Sequence, residues 1–249
     1  MTLPILAALF GAGFVAGFID AIAGGGGLIA VPVLLWSGLP PHVALGTNKL
    51  QSSIGTAVAV ARYVRAGLVR WRDVRLGTIT SFVAAMAGTW CVSRLDPAAL
   101  RTVIPVLLLV IAAWMLLQPQ LGAEARPPLV DPRVFALVAG SVLGFYDGFF
   151  GPGTGSFWTV ACVGVLGLEL RGATAYTKVV NLASNVGALV LFALAGRVDY
   201  RVGLVMIAGQ VTGARLGSGL VIRRGASLIR PIFVAMVVAL ALKLLLAHP

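Results

Sequence analysis

Two stretches of this chain interrupt a long apolar run in the same way. Gly17-Phe18-Ile19-Asp20 runs into Gly24-Gly25-Gly26-Gly27, and Gly144-Phe145-Tyr146-Asp147 runs into Gly151-Pro152-Gly153, the two aspartates standing 127 residues apart. In lipid, a backbone that leaves helical geometry exposes peptide groups that no water can satisfy. Such breaks persist only inside protein or beside a wet cavity. Two matching breaks in the two halves of a hydrophobic chain therefore point to a binding site near the middle of a membrane. The carboxylate repeated at each break strengthens that reading.

Composition sets the solvent. Of 249 residues, 59% are hydrophobic and only 11% charged, against about 25% charged in soluble domains. The chain reads as an integral, all-α polytopic membrane protein. A formal net charge of +11 would suit nucleic acid, but the arginines lie between apolar runs rather than on one face, and aromatic residues are too scattered to stack bases. No nucleic-acid partner is expected; the lipid bilayer is. Arginine instead marks cytoplasmic loops. Cys91 and Cys162 are isolated in apolar surroundings and read as packing residues, with no metal and no cofactor implied. No Lys or Arg precedes Lys49, so the first apolar segment lacks a signal peptide's basic start and is expected to stay in the protein.

Apolar runs fall at about 3–23, 28–38, 44–64, 75–93, 99–118, 133–150, 155–168, 174–195, 202–222 and 228–246. Eight of them approach the ~20 residues a helix needs to cross hydrocarbon. The runs 28–38 and 155–168 are shorter, follow the glycine breaks, and read as half-helices; Pro32 interrupts the first. Asp96-Pro97 and Asp131-Pro132 each place an N-cap acid before a proline at the first helical position. The polar segment 119–132 divides the chain into repeats at 1–118 and 133–249.

The repeats align beyond the glycines. Asn48-Lys49 corresponds to Thr177-Lys178, and Ala66-Gly67 with Trp71-Arg72 corresponds to Ala195-Gly196 with Tyr200-Arg201. Each repeat holds about five helical segments, the second one short. An odd number of crossings inverts one repeat relative to the other, and the arginines agree. Arg62, Arg65, Arg70, Arg72 and Arg75 crowd the loop after the third segment, where the second half has Arg197 and Arg201. After the fourth segment the bias reverses, with Arg94 and Arg101 set against Arg223, Arg224 and Arg230. Placing the rich loops in the cytoplasm gives inverted repeats with both termini outside.

Ionisable groups inside apolar spans are costly and by default mark a pathway or a buried pair. Asp20, Lys49, Asp147 and Lys178 lie at the breaks or at the start of the helix that follows; Arg215 and Lys243 are placed to snorkel. Asp20 and Asp147 have two compatible readings: carboxylates that hold the breaks by capping amides or pairing with lysine, or proton-coupling and gating sites. Lys49 and Lys178 either attract an anion or neutralise the aspartates. Gly25, Gly26, Gly27, Gly151, Gly153, Thr154 and Gly155 let the backbone unwind and aim the half-helix N-termini at a cavity, where their dipoles favour an anion. Asn48, Gln51 and Ser52, then Asn181, Ser184 and Asn185, line the third segment of each half; Asn181 and Asn185 share a helical face. They form a site wall or interhelical glue. Gln210 is a weaker candidate.

These residues resemble the TauE/SafE family, also called the toluene sulfonate uptake permeases. The resemblance rests on Gly17–Asp20 with its glycine run, Thr47-Asn48-Lys49-Leu50-Gln51-Ser52-Ser53, the string Gly144–Gly155, and Thr177-Lys178-Val179-Val180-Asn181 leading to Ser184-Asn185. It implies an inner-membrane, multi-pass transporter of two similar halves, associated with sulfite and organosulfonates. The residues agree on a small anionic substrate and on alternating access by rocking halves. A cation-linked carrier and a passive channel are the competing readings. An intramembrane enzyme lacks support, because His42 lies in a short loop and His248 at the terminus.

Overall fold

Glycine spacing decides where these helices touch. The computed structural model describes residues 3–116 and 125–224, and all regular structure among them is α-helical. The helices are α1 (Leu3–Ala23), α2 (Gly27–Trp36), α3 (Pro41–Arg65), α4 (Trp71–Val92), α5 (Pro97–Leu116), α6 (Pro132–Phe149), α7 (Thr154–Gly164), α8 (Leu170–Leu194) and α9 (Tyr200–Arg224). They follow the expected runs, with α2 and α7 short, at 10 and 11 residues. The expected tenth run, 228–246, lies outside the described residues.

Both aspartate caps form. The amide of Ala98 donates to Asp96 Oδ1 at 2.8 Å, and those of Arg133 and Val134 donate to Asp131 Oδ1 at 2.7 and 3.4 Å. Asp131→Ala should cost about 1 kcal/mol, read as a small drop in melting temperature in detergent with transport retained.

Small residues at i, i+4 let helix backbones meet. A methyl group added at Gly13, Gly17, Gly209, Gly213 or Gly217 would lie no more than 2.4 Å from backbone of the facing helix. Gly13 meets Met206 and Gly17 meets Gln210, so α1 and α9 run in the same direction. Gly144 meets Ser81 and Gly148 meets Ala85, so α6 and α4 do too. Parallel register also joins α3 to α9, through Gly203 on Leu50 and Gly55 on Gln210, and α4 to α8, through Gly77 on Tyr176 and Gly187 on Phe82. In contrast, Gly46 meets Phe192 while Lys49 meets Asn185, so α3 and α8 are antiparallel. Each contact therefore recurs with the halves exchanged: α1 on α9 matches α6 on α4, and α3 on α9 matches α8 on α4.

Polarity is inside out. Ile79, Val83, Val138, Val142, Leu204 and Leu216 are exposed, whereas Lys49, Gln51, Thr56, Lys178, Ser184 and Gln210 are buried. A water-soluble chain would reverse this; an outer surface in hydrocarbon accounts for it. The protein is a membrane protein. Of the described helices, α1, α8 and the Tyr200–Arg223 part of α9 are both long and apolar enough to cross a bilayer. α3 has 25 residues, roughly 37 Å, so it has the length; the buried Asn48, Lys49, Gln51 and Ser52 lower its apolar character.

The register also sorts the arginines. The C-termini of α3 and α9 and the N-termini of α4, α6 and α8 share one end, which gathers Arg62, Arg65, Arg72, Arg75, Arg133, Arg171 and Arg223. The opposite end holds Arg94, Arg197 and Arg201, and there Arg197 Nη1 donates to the Ser93 carbonyl at 3.0 Å.

Candidate functional site

The two breaks meet each other. Gly24, Gly151 and Gly153 have φ of +80°, +97° and +84°, a region closed to most side chains, which is why glycine stands at each turn. A methyl group on Gly24 would lie 2.4 Å from the Gly155 Cα, and one on Gly155 would lie 2.4 Å from the Gly24 Cα. Backbone therefore rests directly on backbone between the halves. Ser156 Oγ ties them by donating to the Ala23 carbonyl at 2.7 Å. Within the second break, Tyr146 Oη donates to the Pro152 carbonyl at 2.7 Å and Thr154 Oγ1 to the Gly151 carbonyl at 2.6 Å. Each freed carbonyl so named has a partner, as burial demands.

Four charges surround this contact, paired crosswise. Lys49 of α3 donates from Nζ to Asp147 Oδ1 of α6 at 2.8 Å. Lys178 of α8 stands 3.2 Å from Asp20 Oδ2 of α1. Each of these two lysines thus stands against the aspartate of the other half. Asp147 also accepts from Asn181 Nδ2 at 3.2 Å and from Ser184 Oγ, and Lys49 donates to Asn185 Oδ1 at 3.1 Å. Asp20 accepts from Thr56 Oγ1 at 3.1 Å. With two positive and two negative groups, the cluster is neutral. In this conformation Lys49 and Lys178 each stand at ion-pair distance from an aspartate.

A small polar cavity opens at the junction. Its wall includes Asp20, Asn48, Lys49, Ser52, Asp147, Asn181 and Asn185, with Gly24, Gly27, Gly151, Gly153 and Gly155 supplying backbone. Most of the residues singled out from the sequence are here. Lys178, Gln51, Gly26, Gly25 and Thr154, like Ser184 and Gln210, are not among the wall residues, and each has another place. Lys178 sits behind Asp20. Gln51 donates to Asn48 Oδ1 at 2.9 Å and orients it. Gly26 lies against Ala16 and the Asp20 Cβ. The Gly25 carbonyl accepts from the Leu28 amide at 3.0 Å, and Thr154 closes its own turn. Sequence reasoning did not assign Gly24 to the wall, nor Thr56 and Ser184 to the aspartates. Helical spacing carried that signal, since Thr56 follows Ser52 by four and Ser184 follows Asn181 by three. Gln210 lies against Gly17 and Gly55, and its buried amide has no hydrogen-bond partner among the described residues.

A polytopic helical protein with two helix breaks and buried charges at their junction has the features of a membrane transporter. The chain is a member of the sulfite exporter TauE/SafE family, whose model matches residues 9–244. This bears out the resemblance read from the motifs. A probable membrane transporter protein of Haemophilus influenzae is 46% identical over 94% of this chain and 92% of its own length. The probable membrane transporter protein YfcA of Escherichia coli K12 is 44% identical over 97% of this chain and 90% of its own length. A more distant probable membrane transporter protein, YjnA of Bacillus subtilis, is 24% identical over 92% of this chain and 96% of its own length. No solved structure matches the chain significantly. The family and these relatives make the protein a membrane transporter.

Proposed function

We propose that this protein is a secondary transporter that carries a small anion, sulfite or an organosulfonate, across the cell inner membrane by alternating access. One observation carries the reading: the polar cavity is walled by both halves where two broken helices meet. The N-terminus of α2 arrives through Gly27 and that of α7 through Gly153 and Gly155. Free amides and helix dipoles there favour negative charge, and a shared wall is remade whenever the halves rock. The family description names sulfite, and organosulfonate comes from the motif resemblance.

The corresponding helices α3 and α8 are antiparallel, and the parallel contacts of α1 and α3 with α9 and of α6 and α8 with α4 make α1 antiparallel to α6 as well, which supports inverted repeats. The arginine-rich end then faces the cytoplasm, and the N-terminus of α1 lies on the outer side. Charge balance suggests how an anion is admitted. A proton on an aspartate removes its negative charge and leaves a lysine free to attract the substrate, so proton and anion enter together. The geometry disfavours a cation carrier, because a cation would have to displace a lysine from an aspartate.

Counterflow of labelled sulfite and of a taurine-like sulfonate in proteoliposomes, with Na⁺ binding measured alongside, tests the proposal. Saturable counterflow of either anion is expected. Binding of Na⁺ alone would overturn the anion assignment, and flux without saturation or counterflow would make the protein a channel.

A further inference from the structure

The halves are alike in plan but unequal in how firmly they hold their carboxylates. Asp147 accepts from Lys49, Asn181 and Ser184, and its side chain is 2% exposed. Lys49 has a further acceptor in Asn185. Asp20 has Thr56 as its hydrogen-bond donor, faces the cavity, and is 11% exposed at the side chain. Its counter-ion Lys178 is fully buried, and Nζ makes no hydrogen bond to any described residue, although it stands at ion-pair distance.

The repeat alignment explains the inequality residue by residue. With Lys49 matched to Lys178, the counterpart of Ser184 is Gly55, that of Asn181 is Ser52, and that of Asn185 is Thr56. Gly55 has no hydroxyl to offer, and the Gln210 side chain fills the space beside it. Ser52 shares its hydroxyl with Asn48 and Gln51 rather than turning to Asp20. The first half has thus lost the donors that satisfy the carboxylate of the second. Hydrogen bonds to an ionised carboxylate favour its charged form, and Asp147 has two neutral donors, Asn181 and Ser184, where Asp20 has Thr56.

We propose that proton coupling is confined to one half: Asp20 takes up and releases the proton, while Asp147 with Lys49 remains an ionised clasp. The inference rests on the carrier reading for its purpose. On protonation, the carboxylate oxygen of Asp20 gains the proton from the cavity, and the buried ammonium of Lys178 loses its counter-charge. A substrate anion at the cavity end supplies that charge instead. Among the described residues, few other charged or titratable groups stand near Asp20. Tyr63 of α3 donates to the Ala21 carbonyl, Arg62 lies beside Gly219 of α9, and Lys49 with Asp147 stands across the cavity. α2 carries no ionisable residue and α7 only the buried Cys162, while Arg201, Arg215 and Arg223 of α9 are exposed.

Difference infrared spectroscopy of the purified protein through a pH titration reads the carboxyl band directly. Beside the bands of exposed carboxylates such as Asp73, Asp96 and Asp131, one carboxyl band at the position of a buried, weakly hydrogen-bonded acid is expected in the unaltered protein, and Asp20→Asn should abolish that band. Thr56→Val, which removes the donor without touching the acid, should raise the midpoint by about one pH unit or more, while Ser184→Ala should leave it in place. A buried-acid band that survives Asp20→Asn, a midpoint that moves with Ser184→Ala instead, or the absence of any buried-acid band would overturn the assignment. In transport, Asp20→Asn should flatten the pH dependence of sulfite affinity by about tenfold. Sulfite counterflow on the same preparations separates this inference from its parent. A protein that moves no anion while Asp20 titrates refutes the carrier reading alone. Active counterflow with a band that persists in Asp20→Asn refutes the proton assignment alone.

Discussion

Lys49→Met should cost about 3–5 kcal/mol, enough to lower the melting temperature sharply and to abolish transport. The mutation leaves Asp147 as a buried charge without its counter-ion, and Asn181 and Ser184 alone offer it neutral donors. The double variant Lys49→Met/Asp147→Asn should recover most of the lost stability, because the cost lies in the unpaired charge rather than in the missing bond. It should not recover transport, since both residues line the cavity. Melting curves of the purified variants in detergent measure the first effect and counterflow the second. Equal destabilisation in the single and double variants would mean that the two residues do not act as a pair.

The other large effect is steric. In Gly155→Ala the new methyl would sit 2.4 Å from the Gly24 Cα, where both sides are backbone and no side chain can turn away. The halves must separate or the break must refold. Overpacking of this kind costs about 1–3 kcal/mol, and the site geometry is lost with it. Gly24→Ala meets the same contact and adds the penalty of φ +80°, about 1–2 kcal/mol more. Gly164→Ala, in the same helix as Gly155 but with nothing within 4 Å, should leave stability and counterflow intact. If all three variants melt and transport alike, the backbone contact is not what positions the site.

Much of the site was legible because its signals are local. An apolar run declares its own length, a glycine cluster beside an aspartate declares a break, and Asn181 and Asn185 share a face by helical spacing alone. Repetition at corresponding positions made chance an inadequate explanation. Partnership was not legible. Lys49 reaches Asp147 across 98 residues of sequence, and Lys178 was expected in the wall but stands behind Asp20. Nothing in either half alone says that its lysine serves the other half's aspartate.

The sequence by itself determined that the chain is an all-helical membrane protein with two similar breaks, each with a carboxylate, a lysine and glycines near it. Those properties follow from hydrophobicity, spacing and backbone freedom, which act within a turn or two of helix. Only the tertiary structure decided that Gly24 rests on Gly155, that the ion pairs cross between halves, and that Asp147 is held by more donors than Asp20. Packing decides such matters because they depend on which surfaces meet, and here runs of small residues let α1 close on α9 and α4 on α6. The two aspartates that open the sequence as equals become unequal only when their neighbours arrive.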